Sequence, residues 1–430
     1  MHSLPNYWYN IVPDLPRPLP PPRDPEDDYI FSRIELLAKL FLPELLDQEF
    51  TAERYVQIPS ETLDSYRRIG RPTPLVRAEK LEKFLDTPAK IYFKREDLSP
   101  AGSHKVNTAL AQAYYAKKGN VRMLTTETSA GQWGSALAYA CAMFNIKCLV
   151  FMTRSSYLSK PYRRTLMNLY GAEVIPSPSE RTEIGRKLLE ENPEHPGSLG
   201  IAISEAIETC MKHEDVKYAI GSVMNFVLLH QTIIGLETMR QLKELGENPD
   251  IMIGCVGGGS NFAGFTFPFI GKRLRDGDFK DTRFIGVESK ASPKMTKGNY
   301  VYEHGDTAGY LPMLKMYTVG RSYVPPPIHA AGLRYHAAAP TLSLLIREGL
   351  VETAAYSQEE VLEAAKIFTR VEGAVPAPET SHAIKQAIVE ARQCRRRNAQ
   401  KTIVLCFSGH GLLDLLVFED AIKASESKHL

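Results

Sequence analysis

From residue 90 onward, short apolar runs alternate with longer stretches in which apolar residues recur every three or four positions. The runs at 91–94, 122–126, 147–153, 173–175, 218–221, 251–256, 283–287 and 402–407 are nearly continuously hydrophobic. Strands covered on both faces need that pattern. The stretches at 133–144, 160–169, 182–191, 230–244, 263–274, 357–371 and 380–393 carry the helical period. This rhythm predicts β-α units and an α/β fold with mostly parallel sheets. The number of units predicts two sheets, with ligands at the carboxyl ends of their strands.

Before residue 90 the pattern changes. Residues 4–28 include Pro13, Pro16, Pro18, Pro20, Pro21, Pro22 and Pro25, which cannot build a helix interior and lack ladder donors. Tyr7, Trp8, Tyr9, Leu15 and Leu19 give the same segment apolar surface, so an extended arm packed on the protein is expected. Ile34, Leu37, Leu40 and Phe41 predict a helix near 32–42 that Pro43 ends or kinks. The stretch 291–340, rich in Gly, Pro and Tyr, follows neither period and is expected to be irregular.

Composition removes several function classes. With 430 residues and 43% hydrophobic content, the chain can bury a core without staples. A net charge of +2 offers no nucleic-acid footprint, and the run Arg395-Arg396-Arg397 reads as a solvated helix end. Six cysteines without a C-x-x-C pair, and eleven histidines without H-E-x-x-H, predict no metal centre. No apolar run reaches a membrane-spanning length and no secretory leader is visible, so a cytoplasmic, reducing setting is expected.

Three places after strands carry chemistry. Ser103-His104-Lys105-Val106-Asn107 sets Lys105 where a helix begins. The positive end of the helix dipole favours loss of the lysine proton, which bonding to an aldehyde requires. Alone, a lysine after a turn is more often a surface lysine. Gly257-Gly258-Gly259-Ser260-Asn261, between a strand and a helix, lets backbone N–H groups approach a phosphate. It matches neither a nucleoside-triphosphate loop nor a dinucleotide fingerprint, and a glycine turn needed for packing is the alternative. Glu127-Thr128-Ser129-Ala130-Gly131-Gln132-Trp133 offers amide donors to a carboxylate, with Glu127 as acid and base or as a plain helix-start carboxylate. An amine, a phosphate cradle, a carboxylate cradle and an acid/base suit a pyridoxal-phosphate enzyme acting on an amino acid. Ser408, in Phe407-Ser408-Gly409-His410-Gly411, reads on its own as a serine in an ordinary glycine turn; counted with the other three sites, it would face the ring nitrogen.

At these residues the sequence resembles the tryptophan synthase beta chain. The matching stretches are Arg71-Pro72-Thr73-Pro74-Leu75, Lys94-Arg95-Glu96-Asp97-Leu98 through Asn107, Glu127 through Gln132, Gly171-Ala172-Glu173-Val174, Cys255 through Asn261, Glu379-Thr380-Ser381-His382-Ala383 and Ser408-Gly409-His410-Gly411. The longer N-terminal arm resembles the second class of these chains. The resemblance implies a fold-type II architecture of two three-layer αβα domains with the cofactor between them. An arm with helices at 1–70 would pack on a domain at 71–240, whose segment 71–103 crosses to a second domain at 241–430. It also implies a homodimer.

By position, Lys105 would hold pyridoxal phosphate covalently, with His104 and Asn107 beside it. Gly257, Gly258, Gly259, Ser260 and Asn261 would hold the phosphate, Glu379 would line the ring and Ser408 would bond its nitrogen. Thr128, Ser129, Ala130, Gly131, Gln132 and Trp133 would bind the substrate, and Glu127 would protonate the departing hydroxyl of L-serine and assist attack by indole. A monovalent cation held by backbone carbonyls near 257–340 is also compatible with the resemblance. An alpha chain would dock weakly or transiently. The chain departs from the family at Ser129, where Gly is usual, at Trp133, where His is usual, and at Arg334, where the segment Ala331-Gly332-Leu333 is usually followed by an acid. Arg334 either binds an anionic donor, O-phosphoserine, or pairs with a protein carboxylate. A dehydratase or cysteine-forming relative, and a non-catalytic scaffold, are the competing readings.

Overall fold

The computed structural model describes residues 4–26 and 32–426, so residues 27–28 of the expected arm lie outside the described part. Two mostly parallel sheets form its centre. One has six strands in the order Glu352–Tyr356, Arg283–Ser289, Ile251–Cys255, Thr402–Phe407, Lys90–Arg95 and Leu75–Arg77, and only the last pairing is antiparallel. The other has four parallel strands, Glu173–Ser177, Lys147–Thr153, Met123–Thr128 and Val216–Tyr218. Both are covered by helices, and Thr402–Phe407 is buried at every position. The α/β fold with mostly parallel sheets expected from the apolar runs is therefore what forms. Among the described residues no helix is long and apolar enough to cross a membrane, and no group of three or more His, Cys, Asp or Glu could hold a metal ion.

Three details differ from the sequence reading. The stretch 291–340 is not wholly irregular: Asn299–His304 and Met313–Thr318 form an antiparallel hairpin. Its strands are half exposed, so they lack the apolar run that marked the buried strands. The strand placed at 218–221 runs instead over Val216–Tyr218, leaving Ala219 to Ser222 as loop. The first helix stops at Leu40, and Pro43 opens a second helix, Pro43–Phe50. Proline is suited to that first helical position because the N–H it lacks would have no partner there.

The arm is packed. Trp8 is fully buried, Tyr7–Tyr9 pairs antiparallel with Tyr55–Gln57, and the Tyr9 N–H donates to Thr232 Oγ1 at 2.9 Å. The Trp8 ring lies 4.4 Å from that of His230.

Beneath the helix that Lys105 opens lies a buried ionic network. Arg71 bonds Glu96 at 2.8 Å and Glu237 at 2.9 Å, and Lys94 bonds Glu237 at 2.8 Å. Asn107 joins it by accepting from Arg71 at 2.8 Å and donating to Glu96 and Gln231. Removing one member would strand a buried charge at a cost of about 3–5 kcal/mol. The network thus fixes the helix from below.

Candidate active site

The carboxyl ends of strands from both sheets open into one cleft, lined by His104, Lys105, Glu127, Gly257 to Asn261, Glu379 and Ser408 among others. Two loop contacts bring its halves together. The His104 N–H donates to Ser408 O at 2.9 Å, and the His410 N–H to Gly102 O at 3.0 Å. The lysine turn and the serine turn, three hundred residues apart in sequence, are therefore stitched backbone to backbone.

Lys105 is the N-cap of the helix Val106–Lys118. Burial lowers the pKa of its amine, against the pull of Cys255, Glu379 and Glu127. No hydrogen-bond or ion-pair partner from the protein meets it among the described residues. His104 is pushed down to about 3 by burial and then by the neighbouring Lys105 charge, so it is neutral. Its ring nitrogens lie 3.2 Å from Ser408 O and 3.4 Å from Ser260 Oγ.

The glycine turn follows strand Ile251–Cys255 and opens the helix Ser260–Asp276. Gly259 sits at φ +115°, a conformation only glycine adopts freely. A Cβ on Gly257 would lie 2.4 Å from Gly332 O, and one on Gly258 would lie 2.4 Å from Ser222 Oγ. Side chains are thus excluded from the turn. Among the described residues no acceptor of the chain meets the N–H groups of Gly258, Gly259, Ser260 or Asn261. A turn of free donors at a helix N-terminus, next to an unpartnered amine, fits a phosphorylated aldehyde.

Across the cleft, Gly131 at φ +90° caps the helix Gln132–Phe144. Thr128, Ser129, Ala130, Gln132 and Trp133 line the cleft; Gly131 shapes the turn from behind. Ser129 Oγ donates to Ala331 O at 2.6 Å, and Gln132 Nε2 to Glu379 Oε2 at 3.0 Å. The other Glu379 oxygen accepts the Gly332 N–H at 2.8 Å. Trp133 donates from its indole nitrogen to Thr126 Oγ1 at 2.7 Å, and its ring lies where a Cβ on Gly221 would stand. The two departures from the usual loop therefore tie it to its neighbours.

Burial raises the Glu127 carboxyl to about 7, although Tyr218 partly offsets this by donating its hydroxyl to Oε2 at 2.5 Å. A carboxyl balanced near neutrality can both give and take a proton. Tyr218 was missed in the sequence. No signal in the sequence marks it: only the pairing of two strands, which aligns Thr125 with Tyr218, brings Glu127 just past the end of the shorter strand Val216–Tyr218. Tyr218→Phe removes the donor that favours the ionised form. The Glu127-governed limb of a kcat–pH profile should then move up by about one unit; an unmoved limb would show that Tyr218 does not act on Glu127.

Ser408 Oγ lies 2.8 Å from Thr380 Oγ1 and 3.4 Å from Cys255 Sγ, and among the described residues no carboxylate bonds it. Besides Gly131, two residues singled out in the sequence do not line the cleft. Asn107 turns down into the Arg71 network. Arg334 points away, donating to Ser155 Oγ at 3.2 Å and Pro325 O at 2.7 Å.

The family model described as pyridoxal-phosphate dependent enzyme matches residues 66–409. The chain is 56% identical to tryptophan synthase beta chain 2 of Methanothermobacter thermautotrophicus, covering 98% of this chain and 97% of that one. It is 57% identical to tryptophan synthase beta chain 1 of Sulfurisphaera tokodaii, over 97% of each. Among solved structures it resembles a processed threonine deaminase isoform from Solanum lycopersicum, with TM-score 0.62 at 19% identity, covering 95% of this chain and 98% of that one. That last likeness concerns the fold alone.

Proposed function

Because the chain belongs to the tryptophan synthase beta chains, a family of pyridoxal-phosphate-dependent enzymes, we propose that Lys105 holds the cofactor and Glu127 manages the protons of the reaction. The enzyme condenses indole with L-serine, giving L-tryptophan and water. The observation that supports the residue roles best is the pairing of an unpartnered Lys105 amine with a turn of free N–H donors at 258–261. Gly257 to Asn261 would hold the phosphate, with His104, Glu379 and Ser408 around the ring. When bound, pyridoxal phosphate supplies the carbonyl carbon that joins the substrate amine and the ring that accepts electrons from the α-carbon.

The protein's own groups then divide the work. The loop Thr128 to Gln132 orients the serine carboxylate at a helix N-terminus. Lys105 Nζ, its proton disfavoured by burial, takes the α-proton. Glu127 delivers a proton to the β-hydroxyl as it leaves and then accepts the indole N–H. Trp133 and Leu333 close the walls against water, which would otherwise divert the reaction to pyruvate and ammonia. Ser408 gives the ring a neutral partner, which keeps the chemistry at the β-carbon.

Around this site we read two domains, about 71–240 and 241–430, with the strand Lys90–Arg95 crossing into the six-stranded sheet. Leu158, Leu169, Leu412 and Leu415 are exposed, as residues covered in a homodimer would be in one chain; an alpha chain would dock weakly or transiently. Six free, buried thiols support a reducing cytoplasmic setting.

Arg334 favours a second donor. It is buried and bonds only neutral acceptors, with its Nε unpartnered, so no protein carboxylate balances it among the described residues. A donor bearing phosphate, O-phosphoserine, would supply the missing charge once the guanidinium swings inward. With indole as acceptor, tryptophan should form from either donor. Arg334→Ala should lower kcat/KM for O-phosphoserine about tenfold or more and leave serine nearly unaffected. Equal effects on both donors would remove the anionic donor. Pyruvate without tryptophan would remove the main assignment and restore a dehydratase.

A further inference from the structure

Lys294 has no part in the chemistry above, yet it is fully buried. Its amine donates to Val256 O at 3.2 Å, the carbonyl directly before the triple-glycine turn. The acid facing it is Glu288, also fully buried, with an oxygen 3.8 Å away. That distance is too long for a hydrogen bond but suits a charge pair. Glu288 accepts from three other donors, the N–H groups of Met295 and Thr296 at 2.9 Å and Thr296 Oγ1 at 2.7 Å. A buried carboxylate so held needs a counter-charge, and Lys294 supplies it: burial lowers the pKa of its amine, and the facing Glu288 charge pulls the other way, from an ion-pair distance at which Lys105 has no acid among the described residues.

The peptide that Lys294 grips matters because of its direction. In a trans peptide the C=O and the following N–H point oppositely. A cation on Val256 O therefore turns the Gly257 N–H away from itself and polarises it as a donor. The other carbonyls of the turn are tied in the same sense. Cys255 O accepts from Asn261 Nδ2 at 3.1 Å, Gly258 O from the Ala339 N–H at 2.9 Å, and Gly259 O from the Ala263 N–H at 2.9 Å. All four oxygens face protein donors; the Val256 N–H is taken by Val287 O at 2.8 Å, and the N–H groups of Gly257, Gly259 and Ser260 are left without a protein acceptor among the described residues.

We propose that the Lys294 ammonium is a built-in cation for the phosphate turn, fixing the Val256–Gly257 peptide in place of a monovalent metal ion bound by backbone carbonyls. The residues 257–340 were the stretch in which such an ion was expected, and Lys294 brings a fixed charge to the carbonyl at its start. The enzyme is then indifferent to which monovalent cation the medium holds. Lys294 is a positioning residue, acting through the peptide. The inference rests on reading 257–261 as the phosphate cradle.

The test is the affinity of the full-length protein for pyridoxal phosphate, followed by absorbance and fluorescence in chloride buffers of tetramethylammonium, sodium, potassium or ammonium at equal ionic strength. Wild type should bind with the same Kd in all four. Lys294→Ala leaves a space the size of a small cation, and its Kd in tetramethylammonium should rise about tenfold or more and recover in ammonium or potassium. The double variant Glu288→Gln with Lys294→Met leaves no stranded carboxylate, guards against a simple folding failure, and should show the same loss without recovery. A wild type that itself needs potassium or sodium would overturn the proposal. So would a Lys294→Ala protein that binds as wild type does, or one whose loss no cation restores. If wild type held pyridoxal no less tightly than pyridoxal phosphate, the cradle reading would fail instead.

Discussion

Lys105→Ala should abolish tryptophan formation while leaving the protein at least as stable as before. The substitution removes both the covalent anchor and the base that takes the α-proton, so kcat should fall by roughly four orders of magnitude or more. Stability should not suffer, because among the described residues the amine has no protein partner and its burial disfavours its charged form. Thermal unfolding of the protein without bound cofactor separates the two effects. An unchanged or higher Tm together with lost turnover assigns the lysine to chemistry. Retained turnover above a few per cent ends the scheme.

Glu127→Gln should be the second most damaging change, and it has a signature in pH as well as in rate. Loss of a positioned acid/base should lower kcat by roughly 10²–10⁴, while the visible band of bound cofactor and its Kd stay as in wild type. Equal loss of binding and turnover would indicate misfolding. The stability effect has a fixed sign. The Glu127 carboxyl titrates near 7 in the folded protein against an ordinary value of 4.5, because burial penalises its charged form. Between those values the folded chain holds a proton that the unfolded chain has lost. Ionising Glu127 therefore removes stability as pH rises from about 4.5 to about 7, and the loss is complete above. A glutamine has no such slope and still accepts from Tyr218. The Tm of Glu127→Gln should accordingly gain on wild type as pH rises from 5 to 8, as read by calorimetry across that range. A gap that stays constant with pH would place the carboxyl's titration elsewhere.

What the sequence disclosed, and what it withheld, follows from the range of the forces involved. Strands such as Ile251–Cys255 and Thr402–Phe407 announce themselves because a strand covered on both faces is apolar at almost every position. The glycine turn announces itself because Gly259 needs a backbone angle that side chains resist. The hairpin within 291–340 stayed hidden because its strands are half wet, with Tyr and Lys where a core would demand Val or Ile. Asn107 and Arg334 occupy the anticipated places in the chain, but a residue's place does not fix its rotamer. The Arg71 network draws Asn107 downward, and Pro325 and Ser155 draw Arg334 outward. Tyr218 was invisible because its link to Glu127 spans 91 residues and depends on which strands are neighbours.

The buried arm also bears on how the chain is made. Tyr9 closes on Thr232, 223 residues further along. At synthesis rates of about 5–20 residues per second, Trp8 and its neighbours wait roughly ten to forty-five seconds for the surface that covers them. During that interval an aromatic segment stands uncovered beside the ribosome, open to association with other nascent chains. The prolines that follow it withhold N–H donors and break up any run long enough to be recruited into a foreign sheet. Pro13 to Pro25 thus act as gatekeepers for a stretch that is obliged to be sticky before it is safe.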